Sequence, residues 1–470
     1  VPEQQSASET GKQVEELVLK VGAPAHGGHC VSRLEHDPTG PVVFVRHALP
    51  GETVRARLTE RGARSWRAET TEVLVASPDR VRPAWAQAGS GGVGGGELSH
   101  VALPAQRTWK RWVLADCLRR IGGQEVADAV AALHEAKGGT IAVEAMPSEQ
   151  AAEASSRPRV RAHAGTATRT RISLAVTADG QLGMHGFRSG EVLALNSLPL
   201  AVPELQALGL TERVVWRRGL KPGDTLHAVA PSAGEPLVLA GKQVLNAQGR
   251  PTSRRRIDEV VDASGIGLGQ LRYRLHAEGF WQVHRDAPTV LVDRVLRAAL
   301  SSEPTAAGSL SQPQALQEAP GLKVLELYAG AGLFTLPLSL LAGEVRSIEG
   351  SETAVRDARR LLHEHSGAHL FAGRVNARSI AGVGGAFGAA EQRADVVVLD
   401  PPRAGARREV VAAVCGLEPR RVVLVACDPA ALARDLGTFI QGGYRLAAMS
   451  ALDLFPHTHH FETIAVLTRG

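Results

Sequence analysis

From residue 280 to residue 470, apolar runs of strand length alternate with helix-like segments, and that order admits few folds. The strand-like runs are LKVLELYA, EVRSIEG, ADVVVLDPP, RRVVLVACDP, YRLAAMSALDLF and FETIAVLTR. Helical patterns separate most of them, as in a doubly wound α/β sheet. The last two runs lack an intervening helix, which predicts an antiparallel edge. A helix over APTVLVDRVLRAAL precedes the first strand, and the Ser/Pro/Gln-rich stretch 301–320 reads as a mobile insertion.

At 470 residues the chain is too long for one ordinary core, so further domains precede this one. Residues 15–83 carry short alternating runs such as PVVFVRHAL and WRAETTEVLVA, broken by Gly, Pro and Asp, which predict a small OB-like β-barrel. Arg46, Arg55, Arg57, Arg61, Arg64 and Arg67 give it a basic face for an oligonucleotide, or else a solvated charged surface. Residues 84–279 read as a central mixed α/β domain. It opens with a glycine-rich stretch, 86–97, that reads as too flexible to pack. A helix with Trp109, Trp112, Val113 and Cys117 at helical spacing follows, and then a hairpin turning at Asp179-Gly180. The triplet Arg254, Arg255 and Arg256 grips phosphate or is simply solvated. Residues 1–14 read as a disordered tail without the features of a secretory signal.

Hydrophobic residues at 44% and charged residues at 21% are those of a folded globular chain. The longest apolar stretch, 333–342, is interrupted by Pro337 and too short to span a bilayer, so the expectation is a cytoplasmic protein without a membrane segment. Cys30, Cys117, Cys415 and Cys427 form no C-x-x-C pair, which argues against a disulfide framework and against zinc. His457, His459 and His460 lack companion ligands at metal-binding spacing. Rings bonded to backbone in a turn at Pro456 explain them better, and no metal is expected. A net charge of +5, carried mainly by arginine, suits a nucleic-acid partner but also follows from base composition alone.

Within the last unit, VLELYAGAGLFTLPLS puts Gly330 and Gly332 directly after a strand, where a side chain would block a ligand approaching the next helix N-terminus. Glu349 ends the following strand about twenty residues on, where a carboxylate accepts both hydroxyls of a ribose. Thr335 stands where a dinucleotide fingerprint has its third glycine, so S-adenosylmethionine fits better than a nicotinamide. Cys427 in LVACDPAALARDL follows one strand, and Glu462 in FPHTHHFETIAVL opens another. A thiol and a base at neighbouring strand ends suit covalent catalysis. A structural thiol and a solvated carboxylate are the alternatives.

FWQV around Gln282, ELYAGAGLFTLPLS, LDPPRAGAR, ACDPAALARDL and FPHTHHFETIAVL, in this order behind a barrel, resemble one family. It is that of the S-adenosylmethionine-dependent RNA uridine-5-methyltransferases with an N-terminal TRAM-type RNA-binding barrel, and the resemblance spans nearly the whole chain. It implies a Rossmann-like methyltransferase domain over 280–470, with Cys427 as nucleophile and Glu462 as general base. Gln282 and Asp400 would contact the target uracil, with Pro401 and Arg403 beside them. Gln282, Tyr328, Gly330, Gly332, Glu349 and Asp400 would surround the cofactor. The partner would be structured RNA, ribosomal or alternatively transfer RNA, bound by a monomer.

Carbon 5 of uracil is a poor nucleophile until a thiolate adds at carbon 6, so Cys427 is expected in an electropositive or donor-rich pocket that lowers its pKa. The target base must be splayed out of any stack. Two departures stand out. AWAQAGSGGVGGGELSHVAL has none of the cysteines that hold a four-iron cluster in many relatives, so no iron–sulfur cluster is expected and packing alone must hold this segment. Arg374 in FAGRVNARS occupies the place of an acid or amide that meets the adenine, with Asn376 the nearby substitute. These departures motivate a rival reading, a catalytically impaired RNA-binding scaffold.

Overall fold

The strand and helix runs of the C-terminal part fold into an eight-stranded sheet. The computed structural model describes residues 15–35, 37–135, 139–303, 315–387 and 392–469. The tail expected at 1–14, and residues 304–314 of the expected insertion, lie outside the described residues. The strand order is Ala368–Ala372, Ala342–Glu349, Ala319–Leu327, Val396–Leu399, Arg421–Ala426, Glu462–Arg469, Tyr444–Leu452 and Val143–Glu144. The first five are parallel, and Glu462–Arg469 runs antiparallel to both its neighbours.

Helices cover both faces, which is why these strands read as continuous apolar runs. Along them, neighbouring residues alternate between two cores. Leu325, Leu327, Val397, Leu399 and Leu424 enter one, and Val324, Val396, Val398, Val423 and Val425 the other. Each such side chain contributes roughly 1.5–3 kcal/mol on burial. The helix Ala287–Leu300 closes the second core with Val290, Leu291, Val295 and Leu296. From the central strand Ala319–Leu327 the chain moves first to one side and later returns to the other. The order therefore reverses between this strand and Val396–Leu399, and open parallel sheets bind ligands at the carboxyl ends beside such a reversal.

Four sequence expectations need correction. The final antiparallel pair is not the sheet edge, because Val143–Glu144 adds in parallel beside Tyr444–Leu452. The edge strand Ala368–Ala372 was not foreseen, since its half-exposed residues leave no apolar run. The central strand begins at Ala319, inside the stretch read as insertion. The glycine-rich segment is packed: a Cβ on Gly96 would lie 2.7 Å from the Trp85 ring and 2.8 Å from Ala88, so glycine is what permits the contact.

The span 84–279 is not a single packing unit. Helices Leu103–Cys117 and Gln124–Leu133 lie against the C-terminal sheet, sharing its core through Trp109, Val113, Cys117, Val126 and Val130. Trp112, 47% exposed, falls off that stripe. The remainder forms a six-stranded antiparallel sheet in the order Val192–Ala194, Leu182–His185, Arg171–Val176, Thr225–Val229, Leu237–Ala240, Gln243–Asn246, and a hairpin of Arg256–Asp262 with Gln270–His276. Asp179-Gly180 turns the chain between two of these strands, Gly180 at φ 81°. Arg256 reaches Asp357 at 3.6 Å, and Arg254 donates to the carbonyls of Glu235 and Pro236, so these two arginines of the triplet are tied to the protein.

The N-terminal sheet has the order Glu16–Lys20, Thr53–Arg61, Ser65–Val75, Val42–Arg46, His29–Ser32, Pro24–Ala25. Its first and last strands are consecutive in the chain, and Gly22 N–H donates to the Val31 carbonyl at 2.8 Å across the bend between them. The arginines of its expected basic face are largely paired: Arg46 with Glu69, Arg55 with Glu72, Arg61 with Glu15 and Arg67 with Glu60.

Candidate active site at the carboxyl ends of the parallel strands

Ala426 and Thr463 are register partners, and one step beyond them Cys427 and Glu462 leave their strands side by side. The Thr463 hydroxyl donates to the Ala426 carbonyl at 2.8 Å and secures that end. Asp428 caps the helix Pro429–Gln441, accepting from Ala431 N–H at 2.8 Å, so the nucleophile candidate sits on a strand-to-helix corner. Its other oxygen lies 3.0 Å from His26 Nε2 of the N-terminal sheet region. Asp400 and Pro401 follow the strand Val396–Leu399, and Tyr328 follows Ala319–Leu327 at φ 64°. A non-glycine residue in this region costs about 1–3 kcal/mol and clusters at functional sites.

These ends surround a cavity of about 610 Å3. Cys427, Glu462, Asp400, Pro401 and Arg403 line one part, and Gln282, Tyr328, Gly330 and Glu349 another. Gly332 is not among the lining residues. At φ 92°, with a hypothetical Cβ 3.2 Å from Leu361, it serves the turn and the packing behind it. Gly330 does line the cavity: its φ is 56°, and a Cβ there would meet nothing within 4 Å. Glu349 accepts from the N–H of Gly330 at 2.8 Å and of Ser351 at 2.5 Å, which aims the carboxylate and leaves it capacity for further donors. Arg374 is exposed and Asn376 accepts from Ser379 N–H as a helix cap; neither lines the cavity.

The electrostatics reverse one expectation. Burial pushes the Cys427 thiol up to about 12, and Glu462 and Asp400 push it further than Arg403 can offset. The pocket is acidic around the sulfur, so the free protein holds a thiol there. Burial likewise holds Asp400 up to about 7. Burial and the nearby Asp400 raise Glu462 well above the usual carboxylate range. Glu462 Oε1 is buried without a hydrogen-bond partner, an acid aimed at something the protein itself does not supply.

Sequence reasoning missed Phe280, Phe455 and His460, which also line the cavity. Phe280 is the first residue of the FWQV run and is 73% exposed. Burial, then His459 and Arg403, lower His460 to about 3, so its ring is neutral. The histidine rings were expected to bond backbone; His457 does have a backbone contact, at Ala164, but side chains meet the rings as well. His459 Nδ1 contacts Glu97 and its N–H donates to the same carboxylate at 3.0 Å, while His457 Nδ1 lies 3.2 Å from Gln106 Nε2. The glycine-rich segment is thus held by Glu97 as well as by packing. Among the described residues Glu149, His284 and Asp286 lie close enough to share a cation. Each is already engaged: His284 Nε2 contacts Glu149 at 2.9 Å, its Nδ1 accepts from Asp286 N–H, and Asp286 accepts from Ser148 N–H.

Residues 385–470, which include Asp400, Cys427 and Glu462, match the family model described as tRNA (Uracil-5-)-methyltransferase. An RNA methyltransferase of Streptomyces avermitilis, itself uncharacterized, is 37% identical over 96% of this chain and 98% of its own. The 23S rRNA (uracil(1939)-C(5))-methyltransferase of Alkalilimnicola ehrlichii is 30% identical over 97% of each chain. The chain belongs to the RNA uracil-C5 methyltransferase family. A solved member of similar fold is the Pyrococcus abyssi tRNA (uracil-54, C5)-methyltransferase in complex with S-adenosyl-L-homocysteine. It aligns over 96% of this chain and 99% of its own, with a TM-score of 0.61 and 20% identity. This methyltransferase is accordingly S-adenosylmethionine-dependent and acts on RNA. Among its described residues no helix is long and apolar enough to cross a membrane.

Proposed function

We propose that this protein, acting as a monomer in the cytoplasm, methylates carbon 5 of one uridine in 23S rRNA through a covalent adduct between Cys427 and carbon 6. The observation that carries the reading is the convergence of Cys427, Asp400 and Glu462, whose Oε1 has no hydrogen-bond partner, on one cavity. Near full-length similarity to a named 23S rRNA enzyme favours ribosomal over transfer RNA. The N-terminal sheet, read as a TRAM-type barrel, and the central sheet would hold the folded RNA.

Glu349, Tyr328, Gly330 and Gln282 would hold S-adenosylmethionine, which supplies an electrophilic methyl group when bound. The open space at Gly330 and the spare acceptor capacity of Glu349 suit a nucleoside. The thiol of Cys427 adds to carbon 6 while Asp400, ionised above about pH 7, takes the sulfur's proton. Glu462, protonated in its buried setting, donates to the oxygen of the resulting enolate. Once carbon 5 is methylated the enolate charge is gone, and Glu462 releases its proton to solvent. It then removes the proton from carbon 5, the carbon 6–sulfur bond breaks, and Asp400 returns a proton to Cys427. One proton is released per methyl transferred, and the site returns to its starting state.

The test is a denaturing gel after incubation with labelled S-adenosylmethionine and 5-fluorouridine-containing 23S rRNA or tRNA transcripts. Fluorine at carbon 5 cannot leave as a proton, so a labelled protein–RNA band should persist with 23S rRNA and vanish in Cys427→Ala. A band with tRNA alone would transfer the reading to tRNA, and no band with either would reject it.

A further inference from the structure

A second cavity, of about 330 Å3, lies between the N-terminal sheet and the turn that joins Leu182–His185 to Val192–Ala194. Three guanidinium groups from separate parts of the chain line it: Arg46, Arg67 and Arg188. Arg46 is only 5% exposed, its Nε is buried without a partner, and its guanidinium carbon lies 3.3 Å from the centre of the Phe187 ring. Arg67 approaches His29 Nε2 at 3.4 Å. Stacked guanidinium and phenyl planes with unspent N–H donors are the surfaces on which unpaired RNA bases and phosphates are held.

Acids are present as well. Glu69 lies 3.2 Å from Arg46, and Glu60, with 64% of its side chain exposed, lies 3.0 Å from Arg67. An exposed pair of the second kind is worth at most about 1 kcal/mol, so a phosphate can replace Glu60. The buried His29 ring also lines the cleft. Burial lowers it first, and Arg46, Arg67, Arg188 and His459 lower it further, to about 3. Glu191 lines the cleft as well, so three arginines face three glutamates there.

His460 lines the catalytic cavity and stacks on His459 at 3.9 Å, and the His459 ring lies 6.2 Å from that of His26. His29, three residues along, packs against Phe187 at 5.9 Å. The segment that carries His26 and His29 thus approaches both cavities. The fit is to a strand that supplies both planar bases and anionic links.

We propose that this cleft holds a second unpaired nucleotide of the substrate RNA, its phosphate on Arg67 and Arg188 and its base against Arg46 and Phe187, while the target uridine occupies the catalytic cavity. The proposal rests on the RNA-methylation reading above. It gives the enzyme a second point of grip, so that selection depends on two extruded nucleotides at a fixed spacing.

The probe is a 23S rRNA transcript carrying both 5-fluorouridine and photoreactive 4-thiouridine. It is trapped on the protein, irradiated and digested, and nucleotide–peptide conjugates are mapped by mass spectrometry. Besides the Cys427 adduct, a second conjugate is expected on the peptide bearing Phe187 and Arg188 or on that bearing His29. Arg67→Ala and Arg188→Ala should each weaken binding of the transcript and make the slope of log affinity against log salt shallower by about 1, the loss of one phosphate contact. Thermal midpoints and S-adenosylmethionine affinity should be unchanged. A Cys427 adduct that forms without any conjugate in the cleft, with both variants binding as wild type, overturns the proposal and spares the methylation reading. Absence of the Cys427 adduct itself defeats both.

Discussion

Replacing Asp400 by asparagine is expected to make the protein more stable, increasingly so as pH rises. Burial holds this carboxyl at about 7 against an ordinary 3.8. The unfolded chain therefore releases the proton near pH 4, whereas the folded chain keeps it to about pH 7. Between those values the folded state binds more protons, so stability falls as pH rises and levels off above about 7. At about 1.36 kcal/mol per pKa unit, the gap sets a ceiling of about 4 kcal/mol. Asp400 is partly open to the cavity, and water there should reduce the realised penalty to about 1–2 kcal/mol. Asparagine keeps the shape and carries no charge. Urea unfolding of wild type and Asp400→Asn at pH 5 and pH 8 measures the effect, with the variant's advantage larger at pH 8. A variant no more stable than wild type at pH 8, or an advantage equal at the two pH values, would refute the reasoning that burial destabilises this carboxylate.

The remaining predictions concern turnover. Glu462→Gln should lower kcat by about 100- to 10,000-fold and leave ordinary, unfluorinated RNA covalently attached on a denaturing gel, because elimination needs the base; free RNA throughout would assign that step elsewhere. For wild type, kcat/KM should rise with pH as Asp400 ionises and flatten above about 7, and a profile flat from pH 6 to pH 8 would exclude Asp400 as proton acceptor. Phe280→Ala removes an exposed ring at the cavity mouth, so KM for RNA should rise by about 5-fold or more while the thermal midpoint stays put. An unchanged KM would leave Phe280 without a role in binding.

The positions of the candidate site residues were legible because strand ends are. The runs ADVVVLDPP and RRVVLVACDP mark where apolar strands stop, and Asp400 and Cys427 stand where a doubly wound sheet presents its residues to ligand. The charge around them was not legible. Whether Cys427 faces arginine or carboxylate depends on Glu462 and Asp400 arriving from two other strands, a tertiary fact without a local pattern. The glycine-rich segment misled for a related reason: flexibility is a property of the isolated sequence, whereas Gly96 is small because Trp85 and Ala88 crowd it. Phe455 and His460 lie in a stretch without periodicity, so only the fold could place them at the cavity.

Lys110, wholly buried in the helix Leu103–Cys117, pairs with Asp453 and donates to the Phe455 carbonyl, partners more than 340 positions further along the chain. An ammonium group left in that site without its carboxylate would be strongly destabilising. During synthesis, therefore, the Lys110 ammonium lacks its partners until Asp453 and Phe455 have been made. Contacts of such long sequence separation make for slow folding with a long exposed interval. The stretch after Leu452, which carries the proposed general base Glu462, is also the clasp on the helix made long before it, so a nascent chain gains both in the same event.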